Sequence, residues 1–131
     1  MNATEKTLIL AALKQKTVTF PDQTHVRALG QGTWRMGEES EKYEAEIEAL
    51  RVGLDSGMEL IDTAEMYGEG ASEELIRDAI ADRREEVFLV SKVYPHRAGG
   101  EALKKACSET LKRLVRIILI SISCTGVVIF P

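Results

Sequence analysis

Between residues 40 and 114 the apolar residues switch repeatedly between helical spacing and short unbroken runs. Ser40 to Asp55 carries Ala45, Ala49, Leu50 and Leu54 as a core stripe, with Ser40 as the expected N-cap of an acidic helix. Met58 to Asp62 is a short apolar run ending in a carboxylate, and Leu75, Ile76, Ala79 and Ile80 give Ser72 to Asp82 a helical face. Val87 to Val93 then reads as a strand, its unbroken Val87-Phe88-Leu89-Val90 suiting burial on both faces. Glu101 to Leu114 returns to helical spacing. Strands alternating with helices call for parallel strands joined by crossover helices, so the expected fold class is α/β.

Upstream, Thr4 to Lys14 has a weak helical pattern. Thr17 to Phe20 and Val26 to Leu29 flank Pro21-Asp22-Gln23-Thr24, which predicts a hairpin closed by turn chemistry. Gly30-Gln31-Gly32 is expected to break the pattern before the acidic helix. About three to four βα units follow from this reading. A closed barrel needs eight such units and about 250 residues, so if these units belong to a barrel the chain holds less than half of them. An open sheet of the same units would leave a parallel edge exposed.

Composition narrows the function classes. The 17 Lys+Arg and 21 Asp+Glu give a net charge of −4, with no basic stripe of the kind that neutralises phosphates, so nucleic acid is an unsuitable partner. Two cysteines, Cys107 and Cys124, match no metal-ligand spacing and no disulfide framework, which points to a reducing compartment. The amino terminus lacks the pattern of an export signal, so the expected location is the cytoplasm. Ile117 to Phe130 is apolar but broken by Ser121, Ser123 and Thr125 and shorter than the roughly 20 residues of a bilayer span, so no membrane partner is expected.

Candidate chemistry collects at the carboxyl ends of the expected strands, where α/β folds place their sites. Asp62 ends one strand, Tyr67 lies in the loop behind it, and Lys92 ends the next strand. If those strands are neighbours, Asp62 and Lys92 pair across the sheet end while Tyr67 folds back. An ammonium beside a phenol favours the phenolate, which makes the hydroxyl a readier proton donor, and a carboxylate keeps the lysine charged and oriented. Each residue also has a plainer reading: Asp62 as a turn cap, Lys92 as a solvated strand end, Tyr67 as a half-buried aromatic.

The run Leu60-Ile61-Asp62-Thr63-Ala64-Glu65-Met66-Tyr67-Gly68-Glu69-Gly70 resembles the aldo-keto reductase signature, in which an aspartate opens and a tyrosine closes a D-T-A-x-x-Y-G motif. Leu29-Gly30-Gln31-Gly32-Thr33-Trp34, Val87 to Val93 and Ser108 to Leu114 extend the resemblance, in the family's order and spacing, over roughly residues 17 to 115. It implies the amino-terminal portion of a TIM (β/α)8 barrel that reduces an aldehyde or ketone with a nicotinamide cofactor, usually NADPH. By the same resemblance Tyr67 is the general acid, Lys92 its activator and Asp62 the partner of Lys92. Gly32, Thr33, Trp34 and Asp62 would line the floor near the cofactor, with Trp34 equally readable as core. The hairpin would plug the amino-terminal end of the barrel. Glu65 and Met66 fit the motif without an assigned role.

The resemblance stops near residue 116, where the family's next strand ends in a catalytic histidine and this chain reads Arg116-Ile117-Ile118-Leu119-Ile120-Ser121. Neither His25 nor His96 occupies a matching position. Isoleucine codons begin AT, so a frame displaced back by one base reads Tyr, His, Asn or Asp there, and suitable third bases restore the family's strand with its histidine. The tail is therefore expected to be a frameshift product, which the nucleotide sequence decides. The organisation expected is a leader over 1–16, a partial barrel over 17–115 and an unrelated tail over 116–131. So shortened, the chain is expected to leave strand edges unpaired, to fold poorly, to self-associate where full-length relatives are monomers, and to have little or no reductase activity. The alternative is a non-catalytic α/β fragment that persists only by association with another chain. An open flavodoxin-like domain is a third reading, and its first strand end lacks the phosphate-binding loop.

Overall fold

The computed structural model describes residues 2–21, 23–114, 121–122 and 127–130. A leading helix, α1 (Ala3–Gln15), is followed by the antiparallel pair β1 (Thr17–Thr19) and β2 (His25–Arg27), in which Thr17 faces Arg27. Three parallel strands come next, β3 (Gly30–Gly32), β4 (Leu60–Asp62) and β5 (Phe88–Lys92). The helices α2 (Tyr43–Asp55) and α3 (Ala71–Ala79) join them, and α4 (Gly100–Leu114) follows β5. The expected α/β alternation is therefore present, with neighbouring strands in sequence order.

Gly30-Gln31-Gly32 is not a break but the first strand of the parallel sheet, paired residue for residue with Leu60, Ile61 and Asp62. Glycine is a poor strand former, and a reading by propensity misses it. Here it permits close approach: a Cβ on Gly30 would lie 2.6 Å from Leu60 Cδ2. Gln31 locks the strand in place, its amide donating to the carbonyls of Leu50 and Met58.

Helix α2 also differs from expectation. A single 3-10 turn over Ser40–Lys42 precedes it, and neither Glu39 nor Lys42 makes a side-chain cap, so Ser40 lies inside the turn and is not the N-cap. Ala45 and Ala49 are exposed. The packed stripe is the partly buried Tyr43 and Ile47 with the buried Leu50 and Leu54, which keeps the spacing of four, three and four that one helix face requires. The aromatic at its head also caps the neighbouring helix surface, since the Tyr43 hydroxyl donates to Asp78 and burial pushes that phenol up to about 12.

The core lies between the sheet and the three helices, which pack side by side in chain order. Ile61 and Leu89 project from the strands into Leu50, Leu54, Leu75, Ile76, Ile80, Ala106 and Leu114, all buried. Alternation along a strand sends the intervening residues Leu60, Asp62, Phe88, Val90 and Lys92 to the opposite, helix-free face. Phe20 of the hairpin stacks on Phe88 at 5.2 Å between centroids, and Glu59 accepts the Arg27 N–H at 2.7 Å. The hairpin thus sits at the amino-terminal end of β4 and β5, leaving their carboxyl ends open.

Two short strands, β6 (Ser121–Ile122) and β7 (Val127–Phe130), form an antiparallel ribbon on the outer edge of β5, with Lys92 opposite Val127. Against the expectation of unpaired strand edges, the outer edge of β5 is covered, because an extended segment supplies its hydrogen bonds from the other direction. The rest of the expected tail, residues 116–120, 123–126 and 131, lies outside the described residues, as does residue 115.

Candidate active site

Strands β3, β4 and β5 end side by side, so Gly32, Asp62 and Lys92 share one rim of the sheet. Asp62 is paired with Val90, two residues before Lys92, and both side chains emerge on the helix-free face. The Lys92 ammonium lies 2.6 and 2.7 Å from the two oxygens of the Asp62 carboxylate and donates to the Thr63 carbonyl at 2.9 Å. Its remaining contact is the Tyr67 hydroxyl oxygen at 3.3 Å. The three residues singled out from spacing are therefore together in space.

The direction of the last contact matters chemically. The ammonium can only donate, so the Tyr67 oxygen accepts and the phenol's own proton is not used in this contact. A positive charge at that distance stabilises the phenolate that remains after the proton departs, and the two carboxylate contacts keep the ammonium where it is. The ammonium also lies 5.1 Å from the centre of the Tyr67 ring.

A one-turn segment, Tyr67–Gly70, delivers the phenol. Gly68, Glu69 and Gly70 are all left-handed, with φ of 58°, 54° and 96°. Such a run costs a side chain about 1–3 kcal/mol where it is not glycine. At Gly70 a Cβ would additionally lie 2.7 Å from Arg113 Cδ. A hydroxyl cluster anchors the segment from below: Ser72 Oγ lies 2.8 Å from Thr33 Oγ1, Thr63 donates to Ser72, and Thr33 donates to the Asp62 carbonyl.

Of the four residues expected to line a cofactor, Gly32 and Trp34 lie exposed on the rim, and Trp34 is 75 % exposed. Among the described residues, no atom beyond Gly32 and its chain neighbours stands within 4 Å of where a Gly32 Cβ would be. Asp62 is half-buried. Thr33 has no exposed surface, because its hydroxyl is turned inward to Asp62 and Ser72, and it supports the floor from below.

Three residues without an assigned role prove to be built into the site. Glu65, 4 % exposed, accepts the Tyr94 N–H and binds Arg97, whose other nitrogen binds Glu109. Glu73 is fully buried on α3, accepting from Ser91 of β5 and from Arg113 of α4. Its signal in the sequence is a carboxylate next to Leu75 and Ile76 on the apolar side of the helix, where a charge must have a partner. Tyr94 stands near the rim, yet its hydroxyl donates to Glu69, which holds that phenol above its usual range. Only Tyr67 has an ammonium beside it among the described tyrosines.

The hydrogen bond from Arg97 holds the Glu109 carboxyl below its usual range. A lowered folded value contributes stability above about pH 4.3, the ordinary glutamate value, and loses it as the pH falls through the lower folded value. The melting-temperature difference between wild type and Glu109→Gln should thus be present at pH 7 and shrink below about pH 4. An identical difference at every pH contradicts this.

Comparison with known proteins follows the same outline. The model described as the aldo/keto reductase family matches residues 28–117. The methylglyoxal reductase YeaE of Escherichia coli is 47% identical over 102 residues, covering 78% of this chain and 36% of that protein. The aldo-keto reductase YhdN of Bacillus subtilis is 41% identical over 69 residues, 49% of this chain and 21% of that one. A crystal structure of an aldo/keto reductase from Klebsiella pneumoniae in complex with NADP and acetate superposes with a TM-score of 0.75 at 48% identity, covering 79% of this chain and 36% of that one. A thermostable aldo-keto reductase in complex with the inhibitor epalrestat gives a TM-score of 0.71 at 40% identity, over 77% and 39% of the two chains. The chain thus spans about a third of the length of such relatives, and corresponds to part of their barrel.

Proposed function

Because this chain belongs to the aldo/keto reductase family, we propose that its Asp62–Lys92–Tyr67 cluster is the proton-donating part of a carbonyl reductase site. The observation that carries this is the ammonium held between a carboxylate and a phenol at the open rim of a parallel sheet. Tyr67 gives its proton to the oxygen of an aldehyde or ketone as that oxygen gains negative charge. Lys92 stabilises the phenolate left behind, and Asp62 keeps the ammonium from turning toward solvent. The proton lost to the alcohol product is replaced from water, and Tyr67 returns to its starting state.

NADPH is the proposed cofactor, supported by relatives whose structures contain NADP or NADPH. When bound, a nicotinamide supplies the hydride that the carbonyl carbon receives. The residues present fit its ring end: Gly32 leaves open space on the rim and Trp34 offers an exposed aromatic face beside it. Asp62 and Lys92 place polar groups at the same edge. They offer its phosphate end little, because Arg97 is committed to Glu65 and Glu109 and Lys92 to Asp62, which leaves the exposed Arg35, 3.9 Å from Glu38, as the one loosely held cation among the described residues of the rim. We therefore propose that these 131 residues alone turn over weakly or not at all.

A transplant tests the reading. Substituting the 102 matched residues into the Escherichia coli methylglyoxal reductase should give a chimaera that reduces methylglyoxal with NADPH within about tenfold of the parent rate. A folded but inactive chimaera overturns the site. The isolated chain turning over at the parent rate overturns the proposal that it is weak.

A further inference from the structure

We infer that Glu65, through its side-chain carboxylate, is a positioning residue that sets where Lys92 and Tyr67 meet, an inference that rests on the proposed reductase site. The register of β4 on β5 pairs Leu60 with Phe88, Ile61 with Leu89 and Asp62 with Val90. Continued past the end of β4, it brings Glu65 opposite Val93. In a parallel ladder a residue in that place sends its N–H to the carbonyl before its partner and accepts, on its own carbonyl, the N–H after it. The first bond is present, Glu65 N–H to the Lys92 carbonyl at 3.0 Å. The second is made by the side chain: Glu65 Oε1 accepts the Tyr94 N–H at 2.6 Å.

The carboxylate therefore stands where a backbone carbonyl would. It is needed because the main chain is already leaving the sheet, with Tyr67 N–H donating to the Ala64 carbonyl at 3.1 Å to begin the turn that presents the phenol. Were the ladder continued by backbone alone, the chain could not turn off toward Tyr67 at this point. Were it simply broken, the Tyr94 N–H would have no acceptor and the segment after Lys92 would be free to shift. Glu65 satisfies both demands at once, holding the chain at Lys92 and Tyr94, on either side of Val93, while the loop departs. Its other oxygen binds Arg97, which reaches on to Glu109 of α4. The rung is thus buttressed from the helix layer.

The test uses the full chain, labelled with ¹⁵N. In Glu65→Ala the Tyr94 amide should exchange with solvent about 100-fold faster or more, and the Lys92 ammonium cross-peak, slowed in wild type by Asp62 and Thr63, should be lost. The Ile61 and Leu89 amides should keep their rates. Glu65→Gln retains an acceptor oxygen for Tyr94 and should restore both signals. The inference is overturned if the Lys92 signal is unchanged in Glu65→Ala. It is equally overturned if the glutamine variant behaves like alanine, or if Ile61 and Leu89 lose protection in step with Tyr94. Should the alanine variant not fold, the glutamine variant decides alone: both signals kept supports the positioning role, and either one lost overturns it. None of these readouts involves turnover, so failure here is distinct from failure of the reductase assay.

Discussion

Tyr67→Phe, introduced into the methylglyoxal reductase chimaera, should lower NADPH-dependent carbonyl reduction by about 10²- to 10⁴-fold, the usual contribution of a positioned general acid. The substitution removes one oxygen. That oxygen's protein partner is the Lys92 ammonium at 3.3 Å, which keeps three other contacts to Asp62 and Thr63. The ring stays, so folding and cofactor binding should be nearly unchanged, and the loss should fall on kcat more than on KM. A variant that retains more than about a tenth of the parent rate assigns the proton to another donor. Tyr94 is the nearest rival by position, and its hydroxyl is already given to Glu69.

The largest effect on stability is expected from Glu73→Ala in the isolated chain. Glu73 has no exposed surface, and its carboxylate joins three elements: α3 through its own backbone, β5 through Ser91, and α4 through Arg113. Truncation leaves the Arg113 guanidinium mostly buried without its carboxylate and Ser91 without an acceptor. Removing one partner of a buried pair costs about 3–5 kcal/mol, a large share of the roughly 5–15 kcal/mol that a domain has in all. The paired replacement Glu73→Leu with Arg113→Leu should recover much of the loss, since no unpaired charge remains. Urea denaturation measures both. A midpoint unchanged in Glu73→Ala shows that the pair contributes nothing.

Why the sequence is legible in some places and not in others follows from what each residue does. Leu75, Ile76, Ala79 and Leu89 are buried by their own spacing, and their elements can be read directly. Asp62 and Lys92 end neighbouring strands and Tyr67 lies in the turn that follows the first, so alternation and order already place them near one rim. Ala45 and Ala49 mislead because small apolar residues are indifferent to burial, whereas Tyr43 and Ile47 carry the area that packs. Gly30 to Gly32 misleads because a strand made by its partner's hydrogen bonds leaves no apolar trace. Glu65 and Thr33 are legible as motif members, but not their roles: which oxygen replaces a carbonyl, and which hydroxyl turns inward, are decided by neighbours distant in sequence.

A double-mutant cycle of Tyr67→Phe and Lys92→Met in the chimaera tests most directly whether phenol and ammonium act as one proton-donating unit. If they do, each single substitution removes most of the rate and the double variant is scarcely slower than the worse of the two. If the two losses multiply, Lys92 does not act through Tyr67, and the coupled phenol and ammonium are not the source of the proton.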